Sequence, residues 1–200
     1  MQRNLIGLAS TIVLTCAIPA GSVEAQFNWP IPPANWWTDL DAGDYPSATF
    51  EMNMGMSMTI TQSIETVSGT QITVSTAMSM MGNSMPGQSQ VIDAATMTPA
   101  GAVEMIQSFG GLEGNQMTPE EARAAMEAMV SRIESTTCRV GGLELDCTLY
   151  EIVVEETTNR LWHAPAIPPV FMGGVVRLEA TMGDQTFETT MTSYSGALLN

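Results

Sequence analysis

The chain predicts a mainly β domain of the α+β class, a curved antiparallel β-meander with one or two helices covering one face. Three observations carry this. From Phe50 to Ile60 every second residue is apolar, Phe50, Met52, Met54, Met56, Met58 and Ile60, with Glu51, Asn53, Gly55, Ser57 and Thr59 between them, the period of a strand with one wet face. Beyond residue 136 a series of short strand-period runs is separated by turn residues. Between 98 and 135 the period changes to that of a helix. Strand runs with one helical interruption, and no regular strand-helix alternation, imply an antiparallel sheet with helices on one side.

Residues 1–25 have the make-up of a signal peptide. Arg3 supplies the positive start, Leu5 to Ile18 the apolar stretch, and Val23-Glu24-Ala25 a small-x-small cleavage site before Gln26. The mature chain is therefore expected to be exported, periplasmic or extracellular. Cys16, after Val13-Leu14-Thr15, stands where a lipoprotein signal would place its lipidated cysteine, but threonine is a poor residue at that junction, so a lipid anchor is the lesser expectation. No later segment reaches the roughly 20 apolar residues of a membrane-spanning helix.

Residues 26–46 form a segment rich in proline and tryptophan, with Trp29, Trp36 and Trp37 beside Pro30, Pro32, Pro33 and Pro46, apolar enough to pack across the domain. Residues 47–200 then form a single domain. Ala48 to Ile64 reads as the methionine strand, Ser68-Gly69 as a turn, and Thr70 to Met80 as a returning strand with Ile72, Val74, Met78 and Met80 on one face. Gly82 to Gly87 reads as a loop and Gln88 to Ala94 as a third short strand. A helical insert follows around 98–135. Thr98-Pro99 opens a short helix to Phe109, ended by Gly110-Gly111. Thr118-Pro119-Glu120-Glu121 opens a second, from Pro119 to Glu134, striped with Ala122, Ala125, Met126, Met129, Val130 and Ile133. Thr136 to Val140, Leu143 to Glu155, Asn159 to Ala164, Gly174 to Met182 and Thr186 to Tyr194 complete the strands.

Charge and cysteine content narrow the function. The 200 residues hold six arginines, no lysine and 21 acidic residues; removing Arg3 and Glu24 with the leader leaves 5 positive against 20 negative, still −15. Such a surface repels phosphate backbones and anionic headgroups, which excludes nucleic acid and peripheral binding to an anionic bilayer as expected partners. The mature chain keeps two cysteines, Cys138 and Cys147, and in an oxidising compartment these are expected to pair. A four-residue turn over Gly141 to Glu144 would set them directly opposite each other. Their spacing matches no common redox or zinc motif.

Several C-terminal stretches are recognisable as a set. Val140-Gly141-Gly142-Leu143, Cys147-Thr148-Leu149-Tyr150, Trp162-His163-Ala164-Pro165 with Ile167-Pro168, Gly173-Gly174-Val175-Val176-Arg177-Leu178-Glu179 and Tyr194-Ser195-Gly196 resemble a group of uncharacterised exported bacterial proteins. The pattern is also similar to periplasmic half-barrel domains of the lipoprotein-carrier and LppX-like families. It covers residues 136–196 best, the methionine hairpin loosely and the 98–135 insert hardly at all. The resemblance implies a concave half-barrel able to hold an acyl chain or another apolar ligand, and it transfers no catalytic residue.

The candidate site is the methionine face: Met52, Met54, Met56, Met58, Met78 and Met80 as lining, with Trp36 and Trp37 as lid contacts. Three readings stand. The thioethers pack a core under a covering helix, they line a pocket for lipid or another hydrophobic ligand, or they capture Cu(I) or Ag(I). Thioethers at i and i+2 on one strand stand about 7 Å apart and would need ligands from a neighbouring strand. Histidine is represented once, by His163, without a nucleophile signature to make a triad. Asp39, Asp41 and Asp44 begin like a calcium loop, but Gly43 and Phe50 stand where ligands are required, so they read as turn formers. Glu120-Glu121 and Glu155-Glu156 are not placed as acid/base couples. The sequence therefore predicts an exported envelope protein that is no enzyme and binds a lipid or another hydrophobic ligand, with a periplasmic Cu(I)- or Ag(I)-binding protein and a purely structural envelope protein as the alternatives, no cofactor and no identifiable protein partner.

Overall fold

The computed structural model describes residues 35–40, 45–95, 130–154, 157–182 and 185–199. The leader with Cys16, most of the Pro/Trp segment, the helix from Pro99 to Phe109, the helix from Pro119 as far as residue 129, and Glu155-Glu156 lie outside the described residues.

The described residues form a nine-stranded, wholly antiparallel open sheet. Its strands are β1 Ser47–Asn53, β2 Ser57–Ser68, β3 Gln71–Met80, β4 Asn83–Asp93, β5 Val130–Val140, β6 Leu143–Val154, β7 Thr157–His163, β8 Val175–Met182 and β9 Gln185–Ser195. The spatial order is β4-β3-β2-β1-β9-β8-β7-β6-β5. Two meanders, β1 to β4 and β5 to β9, are thus joined where the first strand pairs with the last. Phe50 stands opposite Met191 and Met52 opposite Thr189 across that seam.

The sheet is strongly curved. Gly141, at the tip of the β5–β6 hairpin, lies against β9 although three strands separate β5 from β9 in the order. A Cβ on Gly141 would stand 3.2 Å from Ser193 Cα, and its φ is +55°, so glycine serves both the turn and the contact. Curling brings apolar residues of both meanders into one core: Phe50, Ile64, Ile72 and Val74 from the first, Val140, Leu145, Cys147, Val176 and Met191 from the second. The connection from Ala164 to Gly174 folds into the same core through Ile167, Val170 and Phe171, and the C-terminus is tied to it by Leu199 N–H donating to the Ala166 carbonyl at 2.8 Å.

Four expectations need correction. The methionine strand is two strands, reversed at Met54-Gly55-Met56, where Gly55 has φ +80° and Met54 N–H donates to the Met56 carbonyl at 3.2 Å. Of the predicted loop over Gly82 to Gly87, residues 83–87 belong to β4, which begins directly after the Met81-Gly82 turn; Pro86 is accommodated because β4 is an edge strand with a register shift opposite it. Residues 130–134 begin β5 instead of ending a helix: Val130 pairs with Ile152 and Ile133 with Tyr150, so strand pairing overrides a local helical stripe. The disulfide Cys138–Cys147 forms, with Cα atoms 5.9 Å apart, but diagonally. The turn is the two residues Gly141-Gly142, which sets Cys138 opposite Leu145 and Cys147 opposite Thr136.

Candidate functional site

Directly opposed residues of an antiparallel sheet share a face, so register decides which methionines meet. One row crosses all nine strands: Ile133, Tyr150, Leu161, Leu178, Thr189, Met52, Met58, Met80 and Asn83. The neighbouring row on the same face runs Met191, Phe50, Ile60, Met78 and Met85. The register therefore puts Met52, Met58, Met78 and Met80 on one face, through two hairpins and not one strand. Met54 and Met56 sit at the β1–β2 turn, 46% and 55% exposed, at the same end of the sheet as Met81, 79% exposed on the β3–β4 turn.

Exposure is graded along both rows. Phe50 and Met191 are fully buried, Met52, Met58, Ile60 and Met78 are half-buried, and Met80 and Met85 are exposed. The apolar floor is continuous with the core and opens toward edge strand β4. Among the described residues, the two rows at this corner present thioether, hydrocarbon, hydroxyl and amide groups, which can bind by contact or by soft coordination. Sequence reasoning missed Met85 by reading it in a loop, and it placed Ile60 on the apolar face without counting it in the lining.

Trp36 and Trp37 lie elsewhere. Trp36 belongs to the core cluster that includes Phe50 and Ile64, Trp37 packs against that core, and the two indole rings meet edge to face at 6.2 Å. None of the six candidate methionines belongs to that cluster, so the structure does not join the tryptophans to them as lid contacts.

The opposite face is polar over β1 to β4 and carries ion pairs over β5 to β9, while at the β5–β6 hairpin it also holds the buried Val140, Leu145 and Cys147. Its row reads Glu134, Leu149, Trp162, Arg177, Thr190, Glu51, Thr59, Ser79 and Ser84. Here Arg160 bridges Glu151 at 3.0 Å and Glu179 at 3.7 Å, Arg177 bridges Glu179 at 2.6 Å and Glu188 at 3.0 Å, and Arg132 pairs with Glu134. The Arg177 guanidinium also stacks over Trp162 at 4.9 Å.

His163 ends β7 and is buried. Gly174, φ +79°, closes over it so tightly that a Cβ there would stand 2.8 Å from His163 Nε2. Burial pushes the imidazole pKa down to about 4, against a backbone hydrogen bond at Gly173 that raises it. Tyr150 in the long apolar row is likewise held neutral, its pKa raised by burial. Among the described residues, no three His, Cys, Asp or Glu side chains converge as a metal site, and no helix is long and apolar enough to cross a membrane.

No family model and no curated protein matches the chain. Among solved structures, MucB in complex with MucA(peri) is similar at 11% identity and a TM-score of 0.43, over 80% of this chain and 53% of that one. The MucA/MucB complex of Pseudomonas aeruginosa is similar at 12% identity and a TM-score of 0.43, over 82% of this chain and 57% of that one. A further crystal structure of MucB is similar at 10% identity and a TM-score of 0.40, over 80% of this chain and 57% of that one. The chain thus spans little more than half the length of these solved chains.

Proposed function

We propose that this chain is an exported envelope protein that acts by binding, without catalysis, and takes a hydrophobic ligand such as a lipid or acyl chain on the methionine-lined corner of its sheet. The observation that carries this reading is the graded row: Met52 and Met58 continue the buried apolar face, and Met80 and Met85 leave its end open to solvent. Unbranched thioether side chains re-pack around ligands of variable shape, which suits an acyl chain better than a rigid pocket would. The leader pattern and the Cys138–Cys147 bond support export. The resemblance over residues 136–196 to acyl-holding half-barrels agrees with the curvature of the sheet.

The test is titration of the mature chain with an environment-sensitive apolar dye, followed by displacement with a long-chain fatty acid. Met58→Glu places a charge in the middle of the row and is expected to abolish dye binding, with the fold checked by circular dichroism. Dye binding that survives in a folded Met58→Glu protein overturns the site.

A further inference from the structure

We propose that Met52, Met58 and Met80 form a three-thioether site for a soft monovalent cation, Cu(I), for which Ag(I) is the redox-inert analogue. The inference stands on register and chemistry and does not depend on the apolar-ligand reading. Met58 is directly opposed to Met52 on one side and to Met80 on the other, so three thioethers project from one face in a line across three adjacent strands. Neighbouring Cβ atoms in such a row are about 5 Å apart, and the outer two about 10 Å. Three rotatable bonds let each outer side chain lean toward the middle one, a convergence that methionines at i and i+2 of one strand do not have.

The donor set selects the metal. Thioethers are soft and favour Cu(I) and Ag(I), whereas Zn²⁺ requires thiolate, imidazole or carboxylate ligands and Mg²⁺ or Ca²⁺ require hard oxygen. The row offers no such alternative: its flanking members are Thr189 and Asn83, and among the described residues no His/Cys/Asp/Glu cluster exists to compete. Location fits the same ion. Met52 and Met58 are half-buried, and Met80, 37% exposed, provides the entrance. A net charge of −15 raises the local concentration of cations at the surface. Binding involves no electron transfer, since the ion enters and leaves as a monovalent species.

The experiment is Ag(I) titration of the whole mature chain, followed by calorimetry and by the methyl signals of ¹³C-methyl-methionine-labelled protein. One Ag(I) per chain is expected, with the methyl resonances of Met52, Met58 and Met80 shifting together. Met52→Leu, Met58→Leu and Met80→Leu keep size and apolarity and should each weaken Ag(I) by roughly tenfold or more, while Met81→Leu at the exposed turn leaves it unchanged. Dye binding and Ag(I) binding are scored separately on the unsubstituted chain: dye bound without a one-to-one Ag(I) complex overturns this inference alone, and Ag(I) bound without dye overturns the proposed function alone. Absence of a one-to-one complex, or affinity undiminished in Met58→Leu, or equal weakening by Met81→Leu, overturns the site.

Discussion

At His163 the fold buries a neutral imidazole against Gly174, with its pKa pushed from the ordinary 6.5 down to about 4. Because the folded value lies below the unfolded one, the unfolded chain takes up a proton that the native chain refuses. The contribution is present in full above pH 6.5 and is lost as the pH falls toward 4, amounting to about 3 kcal/mol. Urea unfolding at pH 7 and pH 4.5 should show this loss, and His163→Gln should shrink the difference between the two pH values even if it lowers stability at both. An unchanged difference would mean that carboxylates alone set the acid limit. Met81 supplies a second prediction at this scale. It sits at φ +52° beside Gly82 at φ +80°, a turn geometry that asparagine tolerates far better than an unbranched apolar side chain. Met81→Asn should raise stability by roughly 0.5 to 1 kcal/mol, read from the urea midpoint at constant slope.

Among the elements, the β5–β6 hairpin combines a two-glycine turn, a diagonal disulfide and ion pairs along one face. Replacing both cysteines, Cys138→Ala with Cys147→Ala, should cost about 2 to 3 kcal/mol, since the closed loop is short and Cys147 is buried. The arginine row across β5 to β9 should contribute less. Arg160→Gln is expected to move the urea midpoint only slightly, and less at high salt, because that guanidinium is solvent-exposed. The strands that carry these features were legible in the sequence from Leu143 onward to within a residue or two, because period-2 runs alternate with turn residues there. The β1–β2 reversal was not legible from period alone. Met54 and Met56 are apolar and occupy a three-residue turn, so alternation passes from Met52 to Met58 without a break while the chain doubles back. The usable signals were Asn53-Met54-Gly55-Met56-Ser57, dense in turn formers, and the excess length of a strand from Ala48 to Ile64 over the roughly 3 to 10 residues usual in globular sheets. Residues 130–134 misled for the opposite reason: a helical stripe and a strand face both use Val130 and Ile133, and only the pairing with Ile152 and Tyr150 decides between them.

Across the whole molecule, packing declines from the seam between the two meanders toward β4. β9 and β1 meet at the middle of the sheet with Phe50 and Met191 fully buried, whereas nearly all of β4 is exposed and its outer edge has no neighbour in the strand order. Amide protection should follow the same gradient, since local opening requires little apolar burial to be undone at β4 and much of the core to be undone at β9. Hydrogen exchange at neutral pH should therefore find β8, β9 and β1 opening only with global unfolding, and β3 and β4 opening first. The methionine row bridges these regimes, with Met52 on a strand of the seam and Met80 at the end of the third strand out. A ligand held by both must tie the mobile side to the fixed one, so saturating the corner with either a fatty acid or Ag(I) should slow exchange in β2 and β3 while leaving β8 and β9 unaltered. Uniform protection of β4 and β9 in the free chain would show that the gradient in burial has no counterpart in local stability. Slowing spread evenly over the sheet would instead place ligand binding outside the methionine corner.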